Sequence, residues 1–200
     1  MKYKLAEKKF FPELNRELWQ IESVDYFVGA KKGERGGWIE KEDNLSQYGN
    51  AWVSDNARVY DNAWVYGDAW VGDNAVVGDT AEVYGCAIVS GSAWVYGNAM
   101  VCDNAWVGGD TQVYGAARVS GNAEVSNSKE ILFLGKLGNW GRFITCTPDR
   151  SRKMQIACGC FLGGIDAFEK AFRKKYGDNP NSDYMLIMPL LRKKEAEWAK

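Results

Sequence analysis

The sequence predicts an all-β fold, a parallel β-helix built from a six-residue repeat. Valine stands at every sixth position, without a break, from Val53 to Val125. Alanine stands two residues before each of these valines except at Thr111. Between each valine and the next alanine come one variable residue and two turn residues, of which the first is always Gly or Asp. These three observations define one repeating unit.

Each hexad has the properties of a short strand that ends in a turn. Residues two apart in an extended segment point to the same side, so the alanine and the valine share a buried face. Gly, Asp and Asn tolerate the backbone conformations that tight corners need. A strand this short cannot bury its apolar face alone, and stacking on further copies is the arrangement that buries it. The repeat therefore predicts a solenoid.

The aliphatic-x-x-x-small-x pattern resembles that of the hexapeptide-repeat superfamily. The resemblance covers residues 45 to 131 and implies a left-handed parallel β-helix with triangular coils of three hexads, commonly assembled as trimers. The stretch GGWIEKEDNLSQYGNAWV, residues 36 to 53, is similar to the segment that leads into the first coil of small hexapeptide proteins from bacteria and phages, often labelled transferases. A phage-derived protein is the expectation from this resemblance, which also supplies the handedness.

Three regions follow from the composition. Residues 1–44 are expected to form an N-terminal strand, LWQIESV, and the segment leading into the solenoid. Residues 45–131 form the solenoid. Residues 132–200, where the repeat stops, are expected to form a small α/β cap.

The expected cap has a hairpin and two helices. RFITCTPDRSRKMQIACGCF predicts two strands joined at the PDRSRK turn. GIDAFEKAFRKKYG has an apolar stripe at helical spacing and ends at Gly177. DYMLIMPLLRKKEAEW predicts a second helix, bent or broken at Pro189.

Charge and cysteine content limit the environment and the partners. With 25 basic and 26 acidic side chains the formal net charge is −1, which argues against a nucleic acid polymer as partner. The N-terminus has charges where a signal peptide needs apolar residues, and no run approaches the roughly 18 apolar residues of a membrane span. We therefore expect a cytoplasmic protein without a membrane partner. The odd number of cysteines, five, predicts reduced thiols.

The outward slots contain an unusual set of aromatic residues. If three hexads make one coil, residues 18 apart stack, and Trp52, Trp70, Ile88 and Trp106 lie above one another on one face. The residues that follow the valines on this face are only Ser or Gly. A continuous apolar ladder of this kind exceeds what monomers usually leave exposed. A second subunit, the ends of the chain or a ligand is therefore expected to cover it.

Ligand or interface candidates fall into two groups, the outward aromatic residues and a basic cluster beside aromatic residues near the C-terminal hairpin. Arginine beside aromatic rings is suited to an anionic, nucleotide-type ligand, through charge-assisted hydrogen bonds and stacking. Solvated surface charge and assembly contacts are the alternatives. The candidates are Trp52, Trp70, Trp106, Trp94, Tyr96, Trp140, Arg142, Arg150, Arg152 and Lys153.

Catalysis is not expected. The resemblance implies acyltransferases that use a histidine as general base, and this chain contains no histidine. No catalytic residue, cofactor or metal site is predicted. We expect a non-catalytic binding or interaction protein, a homotrimer that sequesters a small anionic nucleotide-type ligand in pockets between subunits. The alternatives are a degenerate acyltransferase that uses acyl-CoA and a purely structural scaffold.

Overall fold

The computed structural model describes residues 1–137, 142–177 and 182–200, and its main body is a parallel β-solenoid. Each hexad supplies one two-residue strand that ends at its valine. The strands are β4 (Trp52–Val53), β5 (Arg58–Val59), β6 (Trp64–Val65), β7 (Trp70–Val71), β8 (Val76–Val77), β9 (Glu82–Val83), β10 (Ile88–Val89), β11 (Trp94–Val95), β12 (Met100–Val101), β13 (Trp106–Val107), β14 (Gln112–Val113), β15 (Arg118–Val119) and β16 (Glu124–Val125).

The strands stack in three columns, because hexads 18 residues apart pair in parallel, as Trp52 does with Trp70. Face one consists of β4, β7, β10, β13 and β16. Face two contains β5, β8, β11 and β14, and face three contains β6, β9, β12 and β15. The solenoid of three hexads per coil is therefore confirmed, with about five turns. Its left-handed sense stays a prediction.

The core of the solenoid consists of the repeated alanines and valines, each at most 1% exposed. Thr111 replaces one alanine and is fully buried. Its hydroxyl donates to the carbonyl oxygen of Gly108 at 2.7 Å, so burial leaves no polar group without a partner there. The repeat thus fills the interior with one small and one branched side chain per strand.

The corners follow the turn chemistry of the sequence. Aspartates at the first turn position adopt positive φ, for example +57° at Asp73, and glycine takes this conformation at other corners. The Asp73 carboxylate accepts a hydrogen bond from the backbone N–H of Gly91, one coil further, at 2.8 Å. Asp79 and Asp103 bind Gly97 and Gly121 in the same way. These carboxylates are occupied in joining successive coils.

The N-terminal region extends face two. It comprises β1 (Tyr3–Phe11), β2 (Arg16–Ser23) and β3 (Arg35–Ile39), in the order β1-β2-β3-β5. β2 confirms the predicted strand, whereas β1 was not predicted. β3 pairs in parallel with β5, and Leu45 forms a bridge to Val65 on face three. The solenoid pairing therefore begins before residue 45.

The C-terminal cap is a four-stranded antiparallel sheet with two helices. Its elements are β17 (Leu132–Leu137), β18 (Arg142–Pro148), β19 (Met154–Cys158), β20 (Phe161–Gly163), α1 (Ile165–Tyr176) and α2 (Asp183–Trp198). Ile144, Ile156 and Leu191 belong to the apolar core between sheet and helices. The other side of the sheet meets the last coil, where the backbone N–H of Arg118 donates to Thr145 Oγ1 at 2.9 Å.

The predicted hairpin and both predicted helices are confirmed. α2 is continuous through Pro189, so the expected break is absent. Pro189 is exposed, and its ring removes one backbone donor from the helix. None of the helices in the described ranges is long and apolar enough to cross a membrane.

Candidate functional site

Trp52 does not belong to an exposed ladder. Its side chain is 0% exposed, and its ring packs edge-on against Phe27, with 5.3 Å between the ring centroids. Gly36 of β3 also lies against it, since a Cβ placed on Gly36 would be 2.7 Å from Trp52 Cζ2. Trp52 therefore faces outward but is covered by the N-terminal segment, one of the expected covers, and the prediction that it is a candidate for a ligand or a second subunit is wrong.

The rest of face one forms an apolar surface that we call the tryptophan strip, Trp70, Ile88 and Trp106. Trp70 and Ile88 are 39% and 42% exposed. Trp106 is half-buried, and its indole N–H donates to Ser90 Oγ at 3.1 Å. The predicted outward apolar column on this face is thus confirmed, but its exposed part begins at Trp70 because Trp52 is covered.

The rings of the strip lie flat against the sheet. A Cβ placed on Gly72 would be 2.6 Å from Nε1 of Trp70, and one on Gly108 would be 2.5 Å from Cζ2 of Trp106. Each indole therefore covers the glycine two residues after it, which explains the small residues in this slot. β7, β10 and β13 carry no charged side chain. The result is a flat, charge-free apolar surface.

Trp94 and Tyr96 lie on face two, apart from the strip. Trp94 is 40% exposed. Tyr96 stacks on Tyr114, with 5.6 Å between centroids. The N-terminal half of this face is covered, since Arg58 pairs with Glu13 at 2.6 Å. The predicted aromatic candidates are therefore divided between two faces.

Face three carries an aromatic stack that the candidate residues did not include. Trp64 stacks on Tyr66 with 4.0 Å between centroids, and Tyr66 stacks on Tyr84 at 4.9 Å. The Tyr66 hydroxyl donates to Glu82 Oε2 at 2.9 Å. Burial and this carboxylate raise the pKa of Tyr66. The signal was present in the sequence, because Tyr66 and Tyr84 are 18 residues apart.

The column continues from Tyr84 towards the cap. Contact with the Cys102 side chain, followed by burial, raises the pKa of Tyr84 to about 12. Cys102 is fully buried. Arg118 of β15, from the neighbouring slot of this face, contacts the Cys102 side chain. Polar and aromatic groups therefore line face three along most of its length.

The predicted basic cluster is divided in the structure. Arg152 donates to Glu130 Oε1 at 2.6 Å and to the carbonyl oxygen of Trp198 at 3.1 Å, so it joins the end of the solenoid to the cap. Arg150 is exposed, 4.0 Å from Glu124, and Lys153 is exposed beside it. Arg142 lies at the other end of β18, about 20 Å away at the 3.3 Å rise of a strand. The prediction that these residues form a single basic cluster is therefore wrong. Trp140, the aromatic candidate beside them in sequence, lies outside the described residues.

Arg142 lines the same cavity as Arg118. Both line a cavity of about 200 Å³ between face three and the cap. Its other lining residues are Met100, Ala116, Phe143, Thr145, Ala157 and Gly159. The cavity brings together two guanidinium groups from parts of the chain that the sequence pattern does not connect.

The cysteines do not form a metal centre. All five are free thiols in the structure, and their reduced state stays a prediction. Burial, and secondarily Cys158, raises the pKa of Cys146 to about 12, so this thiol is a poor metal ligand. No group of three or more His, Cys, Asp or Glu that could hold a metal occurs in the described ranges.

Comparison with known proteins finds a similarity in the repeats. The YdcK β-solenoid repeat family matches residues 51–67, 57–73 and 93–109. No curated protein matches the chain. The matching family is described by its repeat, and it does not confirm the acyltransferase assignment. The chain is therefore a repeat β-solenoid protein whose hexads are similar to those of the YdcK family.

Proposed function

We propose that this protein is a non-catalytic interaction module that assembles with further copies of itself through the tryptophan strip. The observation that supports this most strongly is a flat surface of Trp70, Ile88 and Trp106 without a charged side chain in its strands. Interface centres are depleted of charge and enriched in aromatic residues, and tryptophan is frequent among the residues that dominate binding.

Lateral assembly is favoured over stacking of solenoids end to end. The cap sheet lies across the last coil, with Thr145 bound to the Arg118 backbone. At the other end, Tyr3 of β1 is buried and its hydroxyl donates to the Leu45 carbonyl oxygen at 2.7 Å. With both ends covered, the sides of the solenoid are the surfaces left for association.

Face one suits this contact better than the other two faces. Face two is covered at its N-terminal half, and face three contains Glu82 and Arg118, whose burial in an interface would be costly without partners. The polar corners beside face one, such as Asp73 and Asn74, would form the rim. Three copies are the number that the hexapeptide resemblance implies, and closed symmetric assembly is usual for identical subunits.

The test compares two charge insertions at equal exposure. Ile88→Glu places a carboxylate in the strip, whereas Trp94→Glu places one on face two, and the native side chains are 42% and 40% exposed. We expect the native protein to sediment as a multiple of the 22.4 kDa chain, Trp94→Glu to do the same, and Ile88→Glu to sediment as a monomer. A monomeric native protein at every concentration, or equal dissociation of both variants, would contradict the proposal.

A further inference from the structure

We infer that the cavity between face three and the cap is a binding site for a small molecule with a phosphate monoester group. Arg118 and Arg142 would hold the phosphate, and Phe143 and Met100 would contact the apolar part of the ligand. The inference does not depend on assembly through the tryptophan strip, which lies on another face.

Arg118 and Arg142 differ from the other arginines in their ion pairing. Each of the other seven arginines lies within 4.0 Å of a carboxylate oxygen. In the part of the chain that the structure describes, Arg118 and Arg142 have no such ion pair. Arg118, which contacts the Cys102 side chain, and Arg142 thus line the same cavity without a described carboxylate within 4.0 Å, an arrangement that like charges disfavour unless an anion joins them.

Arg118 is held in place and retains an unused donor. Its backbone N–H binds Thr145 Oγ1, which fixes the end of β15 to the cap. Its Nε is shielded from solvent and has no hydrogen-bond partner. The nearby Asp103 carboxylate accepts the Gly121 N–H at 2.9 Å. Arg58 Nε on face two is also without a partner, but the Arg58 guanidinium is paired with Glu13. Buried donors are normally satisfied, and an anion in the cavity would supply an acceptor for Arg118 Nε.

Arg142 is positioned by a glycine. A Cβ placed on Gly159 would be 1.9 Å from Arg142 Nη1, so the guanidinium occupies the space that a side chain would fill. Gly159 has φ of +58°, a conformation that favours glycine. Backbone geometry and side-chain packing therefore both require a glycine beneath this guanidinium.

The size and charge of the cavity indicate the class of ligand. Its volume of about 200 Å³ is below the range of roughly 300 to 1,000 Å³ that is usual for drug-sized ligands. A phosphate monoester carries nearly two negative charges at neutral pH, which two guanidinium groups balance, and arginine matches its oxygens in a bidentate manner. A compact phosphate ester with one apolar group fits these properties.

Phenyl phosphate is the probe, titrated by isothermal calorimetry into the full-length protein. We expect binding that is tighter than that of inorganic phosphate, because the phenyl group contacts Phe143 and Met100. Arg118→Gln and Arg142→Gln should each weaken binding by about tenfold or more, since each removes charge-assisted hydrogen bonds. Arg150→Gln, the same charge change at an exposed arginine, is the matched control and should leave affinity unchanged within about twofold.

Arg118→Lys and Arg142→Lys keep the charge and remove the planar fork, which leaves the test interpretable if a glutamine variant fails to fold. Each lysine variant should weaken binding of phenyl phosphate while melting like the native protein. The inference is overturned if the native protein binds no phenyl phosphate at millimolar concentration. Equal weakening in Arg150→Gln would also overturn it, because binding would then follow net charge. Neither outcome bears on assembly, which sedimentation measures separately.

Discussion

Two tryptophans with the same local sequence differ completely in environment. Ala-Trp-Val occurs at residues 51–53 and again at 69–71, and the two tryptophans are paired neighbours on face one. Trp52 is 0% exposed and Trp70 is 39% exposed. The hexad specifies the strand, its register and the outward direction of the indole. Whether that indole meets solvent depends on what another part of the chain places over it.

The cover over Trp52 comes from the N-terminal region. Phe27 packs against the ring, and Gly36 allows β3 to approach it closely. Lys2 also belongs to this cover. Its ammonium donates to the Ala51 carbonyl oxygen at 2.7 Å and lies 5.5 Å from the Phe27 ring centroid. Trp70 has only its own hexad beneath it, and its outer side remains open.

The largest expected effect is on stability at the covered tryptophan. Trp52→Ala should lower the free energy of unfolding by about 3 to 5 kcal/mol, because it leaves a cavity under the N-terminal segment. Trp70→Ala should lower it by less than about 1 kcal/mol, as is usual at exposed positions. Urea denaturation in the Ile88→Glu background separates these effects from assembly. Equal losses for the two variants would show that the cover contributes nothing.

The second prediction concerns the pH dependence of the cover. Burial lowers the pKa of Lys2 to about 8, and Asp68 acts in the opposite direction. The folded state therefore releases this proton at lower pH than the unfolded state does. The contribution of Lys2 to stability should then rise as the pH increases from 8 towards 10.

Lys2→Met isolates that contribution. Between pH 7 and pH 10, native stability should rise relative to the variant by on the order of 1 kcal/mol, a conservative value for a partly solvated ammonium. Chemical denaturation of both proteins at each pH measures the difference in their free energies of unfolding. Contributions from the tyrosines and cysteines, which both proteins share, cancel in this difference. A difference that stays constant across this range would contradict the buried ammonium.

The smallest expected effect tests the flat position of the exposed ring. Gly72→Ala places a methyl group where the Trp70 indole lies, so the ring should turn away from the sheet. We expect a change of less than about 1 kcal/mol in stability and a clear shift of the Trp70 indole N–H signal in ¹H–¹⁵N spectra. Gly135→Ala is the control, since nothing lies within 4 Å of its added methyl group. An unmoved Trp70 signal would mean that the ring does not cover Gly72.

Much of the fold could be predicted because each hexad carries its own information. Valine, alanine and the turn residues act locally, and a stack of identical units repeats the same pairing. β1 was missed because its sequence, YKLAEKKFF, is rich in charge and is stabilised by pairing with β2. The basic candidates were wrongly grouped, because Arg142 and Arg150 are close in sequence but lie near opposite ends of β18.

The repeat, the three faces, the corners, and the helices and hairpin of the cap could be predicted from the amino-acid sequence, since these depend on residues within one or two turns of each other. The packing of distant elements determines which outward residues are covered and which arginines share a cavity. Trp52 is buried by Phe27, and Arg118 and Arg142 line one cavity at the junction with the cap. Contacts of this kind depend on how separate elements pack, and no periodic pattern encodes them.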